Sequence, residues 1–174
     1  MVTEWLSDDE QALWRRLLSV EARLQDRLDR DLRAGHGLTL GEYAVLVHVS
    51  ESGPGGLRMS DLAARLLLSR SGLTRRVDSM VRAGLVERRS CPADGRGAMA
   101  QLTPLGQARL AEAAPTHVEG VRRYLLDPLA DRLDGLSWGL EEVDRALGEP
   151  SGILCGGCPD EADDQVCPGP APAG

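Results

Sequence analysis

Residues 59–89 read MSDLAARLLLSRSGLTRRVDSMVRAGLVERR, and this stretch decides the fold. The letters MSDLAARLLL predict a short helix with Ser60 as its N-cap, and LSRSG predicts a turn. A second helix is expected from about Arg70 to Ala83, with Gly84 ending it. Its buried side is expected to consist of Leu73, Val77, Met80 and Val81. Two short helices joined by a tight turn predict a helix-turn-helix.

A β-hairpin is predicted directly after these helices. Two short extended runs, LVERRSC and AMAQLT, are joined by PADGRG, where proline, aspartate and two glycines favour a loop. The hairpin would carry Arg96 at its tip. A helix-turn-helix followed by a hairpin predicts a winged helix-turn-helix, mainly α with a small β-hairpin wing, over residues 38–103.

Long amphipathic helices are predicted at both ends of the chain. The first covers residues 9–34. Its apolar stripe consists of Leu13, Leu17, Val20, Leu24, Leu28 and Leu32. Residues 104–148 form the second helical region, with helix-start signals in the Thr-Pro pair at 103–104 and the Asp-Pro pair at 127–128. A small middle domain cannot cover these stripes, so both regions are expected to act as dimerisation helices in a homodimer.

The chain is acidic overall, but its middle is basic. The net charge of the 174 residues is −7, and all 20 basic residues are arginine. Residues 58–96 contain nine arginines and four acids, which gives this segment +5 and leaves −12 for the remainder. A local basic patch predicts a polyanionic partner better than the overall charge does. The alternative is an ordinary solvated helix face.

A winged helix-turn-helix with this charge suits DNA. The second helix fits the major groove, the first crosses the backbone, and helix N-termini and hydroxyls donate to phosphates. A narrow minor groove would attract Arg96 at the hairpin tip. The segments LTLGEYAVLVHVSE, MSDLAARLLLSRSGLTRRVDSMVRAGLVERR, DGRG and QLTPLG, in this order, resemble the MarR family of bacterial transcriptional regulators over about residues 10–148.

The resemblance implies a winged-helix homodimer that binds a palindromic operator in double-stranded DNA, often as a repressor. The side chains that it places in the major groove are Arg70, Ser71, Thr74 and Arg75. Ser60 and Ser69 are expected to contact phosphates. Arg96 would enter the minor groove, with Asp94 holding the wing in place. Arg76 belongs to the expected DNA-binding set, although helical geometry turns it partly aside.

The resemblance also implies a site that senses a signal, because many family members release DNA when a small aromatic ligand binds or a cysteine is oxidised. The family's ligand pocket lies between the DNA-binding lobe and the dimerisation helices. The ligand-binding candidates on those elements are Trp14, Tyr43, His48 and His117. The alternative is that Trp14 and Tyr43 are ordinary core or interface residues. His36 sits in a glycine-flanked loop and is expected to be exposed.

The cysteines predict a second kind of sensor. Residues 149–174 are rich in Gly, Pro, Asp and Cys and are expected to form a disordered acidic tail. Cys155 and Cys158 have the spacing of a metal knuckle or a redox pair, and Cys167 follows nine residues later. A zinc ion, an iron–sulfur cluster, a disulfide switch and incidental thiols are all open readings. Cys91 lies in the predicted wing strand, close to DNA, where oxidation would disturb DNA contact; a half-buried cysteine without this role is the expectation. The first helix holds no cysteine, which argues against the family's peroxide-sensing mechanism.

The sequence therefore predicts a DNA-binding transcriptional regulator that requires no cofactor and responds to a small aromatic ligand or to redox or metal state. The alternatives are a winged-helix protein–protein interaction module and a metal or redox sensor that acts through the tail. No nucleophile–base pair, phosphate loop or paired carboxylates indicate an enzyme. No apolar stretch approaches the roughly 20 residues of a membrane span, and the N-terminus lacks a signal-peptide pattern, so a cytoplasmic protein is expected.

Overall fold

The computed structural model describes residues 3–91 and 94–148, with the backbone alone at residues 91 and 94–97. Its elements are α1 (Asp8–His36), α2 (Leu40–Glu51), β1 (Leu57–Arg58), α3 (Met59–Arg65), α4 (Arg70–Arg82), β2 (Val86–Cys91), β3 (Asp94–Leu102), α5 (Pro104–Val121), a π-helical turn (Arg122–Leu126), α6 (Asp127–Leu129), a 3₁₀ turn (Ala130–Arg132) and α7 (Leu133–Leu147). The fold is mainly α with a small antiparallel sheet, which confirms the predicted winged helix-turn-helix class. Within the described part of the chain, no helix is both long and apolar enough to cross a membrane.

The second helix of the helix-turn-helix, α4, forms close to where the sequence predicts it. Ser69 caps it, because the Ser69 Oγ accepts a hydrogen bond of 3.1 Å from the Gly72 N–H. The side of α4 that is buried in the core consists of Leu73, Val77 and Met80. Val81 was expected on this side, but its side chain is 38% exposed. One residue is about 100° of helical rotation, which carries Val81 past the stripe that ends at Met80.

The start of α3 differs from the prediction. Ser60 is not the N-cap, because the helix begins at Met59 and Arg58 occupies the cap position, with its side chain making no capping hydrogen bond to the helix. The Ser60 Oγ instead donates to Asp61 Oδ1 at 2.8 Å. The reason is β1, a strand of two residues that is too short to show an alternating pattern in the sequence. Arg58 pairs with Met99 in β3, so the backbone stays extended up to the residue before α3.

The three strands form one antiparallel sheet in the order β1, β3, β2. The predicted hairpin is β2 and β3, and its register pairs Val86 with Leu102. Thr103 then joins the sheet to α5: its Oγ1 donates to the Gly84 carbonyl at 2.6 Å and accepts from the Gly106 N–H at 3.0 Å. The helix start predicted from the Thr-Pro pair is therefore confirmed, and the same threonine fixes α5 against the end of α4.

The Asp-Pro pair at 127–128 does coincide with a helix start, that of the short α6, but Asp127 is not its N-cap and the last long helix begins later. Asp127 keeps right-handed helical backbone angles, and its N–H donates to the Arg122 carbonyl to close the π-helical turn. Because this bond ties Asp127 into the preceding helix, the residue cannot act as a free cap. The break falls later, at Ala130, where φ is 29°, and α7 begins at Leu133.

The long helices α1 and α5 pack against each other near the end of α1. The Tyr124 hydroxyl, just beyond α5, donates to Asp31 Oδ2 at 2.9 Å. His36 was expected to be exposed, but it is half-buried, and its Nε2 lies 2.8 Å from Thr116 Oγ1. The reason is that α1 extends to His36 before Gly37 ends it with a left-handed φ of 64°, which carries the imidazole onto α5.

The hydrophobic core surrounds α2, while both ends of the chain leave apolar side chains uncovered. Fully buried core residues include Leu32, Val45, Leu46, Leu62, Val77 and Ala113. Exposed apolar side chains on the first half of α1 are Leu13, Trp14, Leu17, Leu18 and Val20, and those on α7 are Leu133, Leu136, Trp138, Leu140, Val143 and Leu147. Only Leu28 and Leu32 of the predicted α1 stripe are buried within one chain.

Candidate nucleic-acid interface

The N-terminal half of α4 presents a polar, cationic surface. Its exposed side chains, together with the capping serine, are Ser69, Arg70, Ser71, Thr74 and Arg75. Because Leu73 and Val77 hold the opposite side of the helix in the core, these side chains stay on the solvent side. The first turn of α4 contains no acidic residue, so the positive end of the helix dipole is not neutralised there. Such a surface suits phosphates and base edges.

A groove of about 310 Å³ runs between the start of α3 and the start of α4. Its lining residues are Arg58, Met59, Ser60, Arg70, Leu73, Thr74 and Ala98. The groove brings Ser60 beside Arg70 and Thr74. These three residues, which the sequence predicts to contact DNA, therefore share one surface although they belong to two different helices. Arg58 also lines the groove but was not predicted as a site residue. The available signal was its place directly before α3 in the basic segment.

Arg76 points away from this surface. It is half-buried, and its Nη1 donates to the Gly41 carbonyl on α2 over 3.5 Å. A methyl group placed on Gly41 would lie only 2.6 Å from Cζ and Nη1 of Arg76. The guanidinium therefore covers Gly41 instead of joining the exposed face that carries Arg70 and Arg75.

Arg88 connects the wing to α4. Its Nη1 lies 2.8 Å from Asp78 Oδ1, and its Nη2 donates to the Thr74 carbonyl at 3.2 Å. Asp78 is the acidic residue of α4, and this contact neutralises it beside the cationic surface. The neighbouring Arg89 pairs instead with Glu87 on its own strand, at 2.6 Å.

Comparison with known proteins places this architecture in one family. A family model described as the MarR family matches residues 36–97. The chain is 34% identical to Sco3205, a MarR family transcriptional regulator from Streptomyces coelicolor solved in complex with DNA. That match covers 85% of this chain and 93% of the other, with a TM-score of 0.79. This chain belongs to the MarR family.

Two further relatives are similar to this chain, and one of them is a named member of the MarR family. AbsC, a MarR family transcriptional regulator from Streptomyces coelicolor, is 41% identical over 84% of this chain and 94% of its own, with a TM-score of 0.73. The HTH-type transcriptional repressor YetL from Bacillus subtilis (strain 168) is 32% identical over 84 residues. That match spans 48% of this chain and about half of YetL, 50% of its length. The names of these relatives describe transcriptional regulators, which is the class that the sequence predicts.

The ligand-binding candidates do not form one site in this MarR-family chain. Tyr43 and His117 meet, with ring centroids 4.6 Å apart and a tilt of 34° between the rings. His48 follows Tyr43 by five residues, about 140° round α2, and lies near Glu51 instead, with 3.7 Å between its Nδ1 and Glu51 Oε2. Trp14 is half exposed on α1, about 21 Å along the helix from the buried Leu28. The structure thus joins two of the four candidates.

Burial shapes the chemistry of both inner histidines. It lowers the pKa of His117 and of His48, and for His48 the Glu51 carboxylate opposes this effect. Neither ring nitrogen of His48 has a hydrogen-bond partner, and the Nδ1 of His117 also lacks one. Burial likewise raises the pKa of the Tyr43 phenol. The stacked Tyr43 and His117 therefore form a neutral aromatic pair at neutral pH.

Several predicted site residues lie outside the described part of the structure. These are the wing side chains of Asp94 and Arg96, the Cys91 side chain, and the tail 149–174 with Cys155, Cys158 and Cys167. Among the residues that are described, no group of three or more His, Cys, Asp or Glu side chains is placed to hold a metal ion. The metal and redox hypotheses for the tail stay predictions.

Proposed function

We propose that this MarR-family regulator binds a palindromic DNA operator as a homodimer and represses transcription until a signal releases it. The observation that carries the proposal is the cationic face of α4. Arg70, Ser71, Thr74 and Arg75 are exposed there together, at a capped helix N-terminus that has no acidic residue. Arginine bridges two acceptors on guanine, and serine and threonine hydroxyls contact phosphates or bases, so this face has the chemistry of a recognition helix.

The DNA-binding lobe would comprise residues 38–103. α4 would enter the major groove, with Ser60 and Ser69 at the phosphates, and the wing that carries Asp94 and Arg96 would reach the adjacent minor groove. The complex of the relative Sco3205 with DNA supports this use of the fold. Arg58, which lines the same groove as Ser60 and Arg70, joins the proposed interface.

Residues 9–34 and 104–148 would form the dimerisation region. The support is the uncovered apolar side chains at both ends of the chain, among them Leu17 at 50% exposure and Leu140 at 52%. Monomeric proteins rarely leave large contiguous apolar surface in water, and the same two helices in a second copy offer a matching surface. A two-fold dimer presents two copies of α4, and this symmetry is why a palindromic operator is expected.

Repression and response to a ligand complete the proposal. The name of YetL, a transcriptional repressor, supports the first. The stacked Tyr43 and His117 support the second, because α2 and α5 link the DNA-binding lobe to the dimerisation region at this contact. A small aromatic acid that separates these rings would change the angle between the two parts. To act, it must bind the DNA-incompetent arrangement more tightly than the competent one.

Selection of bound DNA from a random pool tests the proposal, with reduced and air-oxidised protein compared in parallel. We expect an enriched palindrome and an affinity that falls steeply with salt, since neutralised phosphates release counterions. No enrichment with either sample would overturn the proposal and favour a protein–protein interaction module. Enrichment with reduced protein alone would favour a redox response over a ligand, either of the tail cysteines Cys155, Cys158 and Cys167 or of Cys91 in the wing.

A further inference from the structure

Two contacts link α4, the proposed recognition helix, to α1, the proposed dimerisation helix, through the first residues of α2. The first joins α1 to α2: Asp29 Oδ1 accepts a hydrogen bond of 2.8 Å from the Leu40 N–H. The Arg33 side chain holds this carboxylate through its other oxygen, with Nε 2.5 Å from Oδ2. Together with the Leu40 N–H, it lowers the pKa of Asp29, so the carboxylate stays charged at neutral pH.

The second contact joins α2 to α4 one residue later. The Arg76 guanidinium lies against the backbone of Gly41, where any side chain would collide with it: a Cβ at this position would be 2.6 Å from Cζ and Nη1 and 2.9 Å from Nη2. Glycine is unfavourable inside a helix, so its presence in the first turn of α2 has a local reason in this close approach. Arg76 and Gly41 line an open groove of about 610 Å³, together with Asp29 and Glu42 and with the cationic Arg33 and Arg75.

We propose that Arg76 is a positioning residue: seated on Gly41, it sets the angle between α4 and α1 and so the operator spacing that the dimer accepts. The inference rests on the proposed function. In a dimer joined through α1 and α7, the distance between the two α4 helices depends on how each α4 is held relative to its own α1. Both helices reach successive major grooves only when that distance matches about one turn of DNA, roughly 34 Å.

This role differs from direct DNA contact by Arg76, which the sequence alone predicts. A contact residue changes the affinity of each half-site, whereas a positioning residue changes the preference between spacings and leaves a single half-site unaffected. The test therefore uses the full chain and the palindrome selected by the unmodified protein. Its DNA panel contains that palindrome, versions with one base pair added to or removed from the spacer, and a duplex with a single half-site.

Three variants separate the contributions of charge and seating. Arg76→Gln removes the charge, Arg76→Lys keeps the charge but loses the planar guanidinium, and Gly41→Ala keeps Arg76 but displaces it. Alanine favours a helix more than glycine does, so Gly41→Ala keeps α2 folded. In all three variants we expect the preference for the selected spacing to fall by about three- to tenfold, the range of a modest coupling between sites. Half-site affinity should stay within about twofold, below the effect of one lost base contact.

Arg75→Gln is the matched control on the adjacent residue. It should weaken half-site binding and keep the spacing preference. The inference is overturned if Arg76→Gln lowers the affinity for a single half-site and lowers the salt dependence of binding by about one phosphate, while Gly41→Ala binds as the unmodified protein does. Arg76 would then contact DNA directly. The inference is also overturned if the variants lower only the melting temperature. A chain that selects no DNA at all contradicts the proposed function itself, and the two failures are thereby distinguishable.

Discussion

Arg88 and Asp78 form an ion pair that joins the wing strand β2 to the recognition helix α4, with 2.8 Å between Nη1 and Oδ1. The same guanidinium also donates to the Thr74 carbonyl, within the cationic face of α4. Both partners are partly exposed, with side-chain exposures of 32% and 49%, so the pair contributes little to folding, roughly 0–1 kcal/mol. Its larger consequence is electrostatic, since it neutralises the carboxylate on α4 that would face DNA.

Arg88→Ala should therefore weaken operator binding more than it weakens folding. The loss of Arg88 leaves the Asp78 carboxylate unpaired near phosphates, an unfavourable interaction of roughly 1 kcal/mol, or about fivefold in affinity. Adding Asp78→Asn to this variant should restore most of the lost affinity, because it removes the unpaired charge. DNA titration at fixed salt with both single variants and the double variant measures the coupling. If the double variant binds no better than Arg88→Ala, Asp78 is not the source of the loss.

Arg75→Ala should reduce affinity for the selected operator more than affinity for random DNA. A bidentate contact to a base contributes about 1–3 kcal/mol of discrimination, so the specificity ratio should fall by that amount. Arg82→Ala is the matched control, because Arg82 lies on the same helix at its far end, where its Nε donates to the Asp78 carbonyl. Equal losses on operator and random DNA would show that Arg75 contacts phosphate alone.

Leu17→Asp and Leu140→Asp should each produce monomers. Both leucines are about half exposed in the single chain and belong to the proposed interface of α1 and α7. Burying a carboxylate without a partner costs several kcal/mol, enough to shift a micromolar dimer to monomer. Sedimentation velocity over a concentration series measures the change. Leu67→Asp, at a similarly exposed leucine between α3 and α4, should leave the oligomeric state unchanged. A monomeric unmodified protein would contradict the interface directly.

Stability should fall as the pH decreases from about 7.5 to 5.5. Burial lowers the pKa of His48 and His117 below the ordinary value of about 6.5, so the unfolded chain binds these protons first. The neutral rings contribute stability that is fully present above the unfolded-state pKa of about 6.5. This stability is lost as the pH falls from there through the lower pKa of the folded state. Each histidine adds at most about 1.4 kcal/mol per pH unit to the slope of the unfolding free energy.

Urea unfolding at fixed protein concentration across this pH range measures the slope. The double variant His48→Leu, His117→Leu serves as the control, because it removes both imidazoles and should flatten the curve in this window. Proton-detected titration of the rings in the folded protein provides a second readout. An imidazole that titrates at or above pH 6.5 would show that burial does not control its charge.

Local chemistry explains why much of the fold could be predicted from the sequence. Ser69 and Thr103 cap their helices with their own side chains, and Gly37 and Gly84 take up left-handed angles where the helices end. Such signals act between residues a few positions apart, so they are present in the sequence itself. The apolar spacing of α4 likewise identified most of its buried side. Its exposed face, the core of the candidate site, followed from the same helical period.

Tertiary structure decided the features that depend on residues far apart in the chain. Arg76 reaches Gly41 across 35 positions, Arg88 meets Asp78 across two elements, and Tyr43 stacks on His117 while His48 and Trp14 lie elsewhere. Helical period fixes only the direction in which a side chain leaves its helix, not which element lies opposite. By itself the sequence determined the family, the class of fold and the surface that we propose to read DNA. How that surface is held against the rest of the molecule was decided by packing, because those contacts form only after the helices assemble.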